Sequence, residues 1–226
     1  MDTALYRQKE EKYFSYIRKD IVSLVPENPE QKVLELGASG GNTILYLKEN
    51  RLAKEVMGVE LMRIENSNQE HPLIDKFQIA DIEKEEINAP AEYFDVIICA
   101  DVLEHLVDPW KTIDKICYHL KKGGLIIASL PNIRDWKTLF KIFFKGDFHY
   151  DVKGGILDKT HLRFFCKKNI KQLFTTSILT PILCKPNFLL KVVPEGRKRR
   201  IINRLTFGLF KDFLTVQYLC VAKKYG

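Results

Sequence analysis

Short, nearly continuous apolar runs alternate along this chain with longer stretches in which apolar residues recur every three to four positions. The first pattern marks buried parallel strands, and the second marks helices packed over them. It predicts a helix over 4–24, a loop between Pro26 and Pro29, strand 32–36, helix 41–50, strand 55–60, a helix near 63–69 and a short strand at 76–80. Strand 93–99, helix 109–121 stopped by Gly123-Gly124, and strand 125–130 ended by Pro131 follow. Strands separated by helices mean βαβ units, with ligands bound outside the carboxyl ends of the strands. The last third breaks this rhythm. Residues 132–165 form a long irregular insertion with one short helix (DWKTLFKIFF), and helix 167–176 comes next. A basic amphipathic stretch (GRKRRIINRLTFGLF) then precedes a closing strand at 213–223, long enough to add an antiparallel edge.

The length of 226 residues suits one α/β domain with elaborations, so 1–226 is taken as a single domain carrying an N-terminal helix and the 132–165 insertion. With 46% hydrophobic and 29% charged residues and no repeat, the chain should fold rather than remain disordered. Cys99, Cys117, Cys166, Cys184 and Cys220 are scattered without a CxxC pair, which predicts reduced structural thiols and a cytoplasmic setting. The charged N-terminus lacks the apolar core of a signal peptide, and no run of about 18 apolar residues could span a bilayer. A net charge of +7 fits acidic partners such as phosphates, nucleotides or an anionic membrane, or plain solubility.

The candidate chemistry centres on Gly37-Ala38-Ser39-Gly40-Gly41, at the first strand-to-helix turn. Read as G-x-S-x-G it would be a nucleophile elbow, but only one strand precedes it and no HGGG-type loop does, so Ser39 is read as a helix cap. The G-x-G-x-x-G spacing of a dinucleotide fingerprint is broken by Ser39 and Asn42. Two carboxylates follow at strand ends. Glu60 ends the second strand, where an acidic group can accept from ribose hydroxyls; Asp81 ends the third, where it can accept from an exocyclic amine or cap the next segment.

At this point the chain resembles the class I S-adenosylmethionine-dependent methyltransferases, whose first motif is matched here by Glu35, Gly37, Ser39 and Gly41. FDVIICADVLEHLVDP at 94–109 resembles the family's fourth motif, and LKKGGLIIASLPN at 120–132 the segment entering its fifth strand. The resemblance covers residues 30–176. It implies a doubly wound, Rossmann-like seven-stranded sheet, mostly parallel with a C-terminal antiparallel strand. It also implies S-adenosylmethionine as cofactor, with S-adenosylhomocysteine as product. Gly37 and Gly41 would admit the amino-acid and ribose portions, Glu60 would take the ribose hydroxyls, Asp81 with Ile82 the adenine, and Asp101 would lie beside the methionine moiety. Glu35 would orient the turn. GGILDKTHLRFFCKKNIKQLF at 154–174 resembles a subgroup encoded with polysaccharide glycosyltransferases, near the ubiquinone-type O-methyltransferases. The acceptor implied is a hydroxyl of a glycan, sugar nucleotide or related small molecule. The alternatives are a quinone-like acceptor and a non-catalytic cofactor-binding subunit.

His105 and His161 are the candidate bases, because histidine titrates near neutral pH. The rival reading makes each a hydrogen-bonded interior residue. His149 is a surface or substrate contact. No histidine pairs with Cys, Asp or Glu at a metal spacing along the sequence, so no metal is predicted. Trp136, Phe140, Phe143 and Phe144 recur at helical spacing and are read as a buried face. The basic 197–210 segment either contacts a membrane peripherally or forms a helix packed on the sheet with a solvated basic side, the second being favoured. A nucleic-acid partner is not expected, for want of an aromatic-basic signature. Nothing in the sequence sets the oligomeric state.

Overall fold

The computed structural model describes residues 16–152, 154–188 and 193–226. One seven-stranded sheet runs through it: β1 (Lys32–Leu36), β2 (Glu55–Glu60), β3 (Lys76–Ile79), β4 (Phe94–Ala100), β5 (Leu120–Pro131), β6 (Leu179–Asn187) and β7 (Gln217–Lys224). Their spatial order is β3-β2-β1-β4-β5-β7-β6. The first five pair in parallel, and β7 runs antiparallel to both neighbours. This is the mostly parallel Rossmann-like sheet the sequence led us to expect.

The strands alternate between two cores because successive side chains point to opposite faces. Leu34, Leu36, Met57, Val59, Ile97 and Cys99 join the apolar layer under α3 (Pro109–His119). Val33, Val56, Val96 and Ile98 join the opposite layer, which receives Ile44, Leu45 and Leu47 of α2 (Asn42–Glu49). Asp108 caps α3 by accepting the Lys111 N–H, and Pro109 opens it where a missing N–H costs nothing.

Several expectations are corrected. Of the helix expected over 4–24, the described part is only α1 (Lys19–Val22); residues 4–15 lie outside the described residues. No helix forms at 63–69. Side chains there satisfy the backbone locally: the Gln69 amide donates to Ser39 O at 2.9 Å and accepts from the Ile64 N–H at 3.0 Å, holding the segment as turns. Gly123-Gly124 does not stop α3, which ends at His119 and passes directly into β5. The glycines sit where pairing with β4 jumps from Phe94–Leu120 to Val96–Leu125, with Gly123 at φ +81°. The closing strand is no edge, because β6 lies outside it. β6 carries Pro181 and Pro186, which an edge strand tolerates where one side needs no partner.

The 132–165 insertion holds the predicted helix as α4 (Trp136–Lys145), capped by Asp135 through the Lys137 and Thr138 N–H groups. After it come α5 (Lys167–Leu173), α6 (Val193–Leu205) and α7 (Lys211–Leu214). The apolar stripe of α4 is not buried: Phe143 is 81% exposed and Phe144 70%. Nor does α6 pack its apolar residues inward. Ile201, Ile202 and Leu205 are exposed, while Arg199 is buried. All five cysteines are free thiols, with Cys184 opposite Cys220 across β6 and β7. Among the described residues no helix is long and apolar enough to cross a membrane.

Candidate functional site

A cleft of about 420 Å³ opens at the carboxyl ends of β1 to β4. The turn after β1 builds one wall. Gly37 takes φ +62° and Ser39 φ +53°, left-handed conformations that glycine adopts freely and serine at some cost. A Cβ on Gly37 would collide with the Val102 side chain, so this glycine is required by close packing as well as by its φ. Gly41, at φ +81°, occupies the cap position of α2, and Ser39 does not cap it. Gly41 is outside the cleft lining; a Cβ there would press on Ile74 and the Asn68 backbone.

Of the residues expected to hold a cofactor, Glu35, Gly37, Ser39, Glu60, Asp81, Ile82 and Asp101 line the cleft. Glu60, buried at the end of β2, accepts from the Ser39 and Leu61 N–H groups at 2.7 Å each. Burial pushes its carboxyl up to about 7 against those two donors. Glu35, equally buried, is pushed up to about 8. Burial is the main cause, the Glu60 charge adds to it, and the Arg18 guanidinium and the Ile44 N–H oppose it. Ile44 lies in the first turn of α2, so this hydrogen bond ties Glu35 of β1 to the start of that helix. Its Oε2, however, has no hydrogen-bond partner among the described residues.

Asp81 lies at the cleft and caps the segment that follows β3. One oxygen accepts the Glu83 N–H at 3.1 Å and Lys84 lies 3.0 Å from the other, which holds the carboxyl below its ordinary range although burial opposes the shift. Asp101 takes φ +57° just past β4, and protein groups hold both of its oxygens while its side chain stays 32% exposed. Ser129 Oγ donates to it at 3.0 Å, the Gln217 amide donates to the same oxygen, and Arg18 pairs with the other at 2.5 Å.

Arg18 is the residue the sequence reading missed. Its guanidinium also pairs with Asp20 at 2.9 Å and donates to Ser129 at 3.1 Å. Burial disfavours its charge, yet Asp101 and Asp20 more than offset that. No motif surrounds it, and its partners Asp101 and Ser129 lie 83 and 111 residues away. It brings one fixed cation into a cleft of carboxylates.

The candidate bases come together at the far end. His105, in a 3₁₀ turn (Leu103–His105), lines the cleft and places Nδ1 3.1 Å from Thr160 O. His161 places Nδ1 2.9 Å from Ile156 O. A carbonyl oxygen only accepts, so each Nδ1 carries a proton, and in the neutral form of each ring the lone pair falls on Nε2. The rings meet edge to face with centroids 4.6 Å apart, and His161 Nε2 lies 3.9 Å from Glu104 Oε1. Ligand atoms of Glu104, His105 and His161 lie within 4.8 Å of one another, so this buried group could hold a cation or pass a proton. Sequence spacing could not show it, since His161 arrives from the insertion 56 residues later. Asp158 binds Thr160 through its N–H and hydroxyl at 2.9 and 2.7 Å, and Thr160 in turn orients His105. His149 is exposed in a separate shallow depression beside Phe148 and Tyr150.

A methyltransferase-domain family model matches residues 9–177. The ubiquinone biosynthesis O-methyltransferase of Psychrobacter cryohalolentis is 32% identical over 122 residues, covering 50% of this chain and 45% of that protein. The chain thus spans less than half the length of the relative it matches. An S-adenosylmethionine-dependent methyltransferase structure from Listeria monocytogenes superposes with TM-score 0.61 at 16% identity, covering 92% of this chain and 97% of that one. A chain of the complex between the Haloferax volcanii Trm112 methyltransferase activator and its methyltransferase superposes with TM-score 0.65 at 14% identity, covering 100% and 95%. The cleft fits the cofactor of this family: a buried acceptor carboxylate at the end of β2, a close-packed glycine turn in the wall, and a Glu35 oxygen without a hydrogen-bond partner among the described residues. The chain belongs to the class I S-adenosylmethionine-dependent methyltransferase family.

Proposed function

We propose that the protein transfers a methyl group from S-adenosylmethionine to a hydroxyl oxygen of a small, quinone-like acceptor. The observation that carries this reading is the buried Glu104-His105-His161 group, whose His105 lines the cleft. When bound, the cofactor supplies an electrophilic methyl group, so the protein's task is to align the acceptor and receive its proton. Glu60 would hold the ribose, Asp81 and Ile82 the adenine edge, and Gly37 with Asp101 the amino-acid end. Arg18, which pairs with Asp101 and Asp20, and Lys19 supply positive charge to the lining. His105 Nε2 takes the hydroxyl proton. Glu104, beside His161, favours the positive charge that His105 then carries.

The O-methyltransferase name of the Psychrobacter relative supports the quinone-like class. The glycan or sugar-nucleotide acceptor ranks second, because only the 154–174 segment speaks for it.

The test pairs binding with turnover. S-adenosylhomocysteine, unlike NAD, should raise the melting temperature, and a soluble catechol should be O-methylated. His105→Gln should lower turnover by about 10²- to 10⁴-fold, and His161→Ala by less, both with unchanged S-adenosylhomocysteine affinity. Binding without methylation of catechol, sugar or sugar-nucleotide acceptors would identify a cofactor-binding subunit instead. Loss of affinity and turnover together in the histidine variants would make them structural.

A further inference from the structure

We propose that α4 and the 197–210 segment form one docking surface for an anionic membrane. The inference stands apart from the choice of acceptor. It begins with apolar side chains on the wrong side of their helices. In α4, Thr138 is buried while Trp136, Phe140, Phe143 and Phe144, spaced as one helical stripe, face outward. Beyond α6, Thr206 to Phe210 form a tight turn in which Phe207 takes φ +50° and Gly208 φ +78°. That turn presents Phe207, at 99% exposure, together with Leu209 and Phe210. Isolated exposed apolar residues are ordinary, but contiguous large ones mark an interaction surface.

The two elements are joined. Arg199, buried in α6, reaches back to Asp135, the cap of α4, and donates to Leu214 O at 2.9 Å. Lys137 of α4 pairs with Glu195 of α6 at 2.8 Å. The aromatic stripe and the apolar turn therefore belong to neighbouring, mutually braced segments.

Charge selects the occupant. No Asp or Glu occurs at 136–146 or at 196–211, whereas these stretches hold Lys137, Lys141, Lys145, Arg197, Lys198, Arg199, Arg200, Arg204 and Lys211. Among the described residues, Lys141, Lys145, Arg197, Lys198, Arg200 and Arg204 form no ion pair. Aromatic and aliphatic side chains ringed by unpaired cations of one sign suit an interface of acyl chains beneath anionic headgroups. A second copy of the chain would bring the same charges face to face. Because α4 follows β5 at its carboxyl end, the surface lies at the sheet edge where the cleft opens.

Flotation of the protein with vesicles of equal parts phosphatidylglycerol and phosphatidylcholine, and of phosphatidylcholine alone, tests the proposal. Binding should be at least about tenfold tighter to the anionic vesicles and should fall with salt. Phe143→Ser with Phe144→Ser, and separately Arg197→Glu with Arg200→Glu, should each lower it about tenfold or more. Both double variants should keep the wild-type melting temperature and S-adenosylhomocysteine affinity, since these side chains are exposed and outside the cleft. Equal binding to both vesicle types would overturn the proposal. So would no binding by a monomeric protein, or a dimer abolished by the serine substitutions.

Discussion

Glu60→Ala is expected to weaken S-adenosylhomocysteine binding by roughly 10²- to 10⁴-fold. The Glu60 carboxylate accepts one backbone N–H on each oxygen, from Ser39 and Leu61, which leaves a lone pair on each for a ligand hydroxyl. A hydrogen bond to a charged group contributes about 1.5–3 kcal/mol, so two ribose hydroxyls amount to about 3–6 kcal/mol, which is the stated range. Alanine also leaves two N–H groups of the cofactor turn unpaired, which acts in the same direction. Because burial raises this carboxyl to about 7, the ligand competes with a proton below that pH. Affinity should therefore climb between pH 6 and 8 in the wild type and stay flat in Glu60→Gln. Isothermal calorimetry reads both effects, and a Glu60→Ala protein with wild-type affinity would remove Glu60 from the ribose site.

What the sequence disclosed and what it hid follow from how local each cause is. β1 and β2 were legible to the residue because a buried parallel strand writes itself as one apolar run. Glu35, Glu60 and Asp101 could be placed because each sits at or near the end of such a strand, and strand ends converge in this topology. β6 was missed because an edge strand with two prolines and several half-exposed positions has neither an apolar run nor clean alternation. Arg18 and the His105-His161 contact were hidden because only tertiary folding brings their partners near. The stripe of α4 was legible as a helix and misread as core, since periodicity shows that one face is apolar and not what covers it.

Buried carboxylates in the cleft should make the protein less stable as the pH rises, and Glu35→Gln should remove most of that loss. Glu35 binds its proton up to about pH 8 in the folded chain, against an ordinary value of 4.5 once unfolded. Between those values the native state holds a proton that the unfolded state has released, so unfolding releases a proton and stability falls with pH. The contribution is fully present below pH 4.5 and lost by pH 8. At 1.36 kcal/mol per unit its full span is up to about 5 kcal/mol. Glu60 adds a smaller loss of the same sign between 4.5 and about 7. The carboxyls held low, at Asp20, Asp81 and Glu195, act in the opposite direction, and only in acid below their ordinary values. Glutamine matches the size of the protonated acid and keeps an oxygen for the Ile44 N–H, so it should leave stability near pH 5 almost unchanged. The gap in urea-unfolding free energy between Glu35→Gln and wild type should then widen in favour of the variant up to pH 8.5. Taking the difference cancels every histidine, because both proteins carry the same five. A gap constant across that range would mean that Glu35 is already ionised in the folded protein, with its charge stabilised by Arg18.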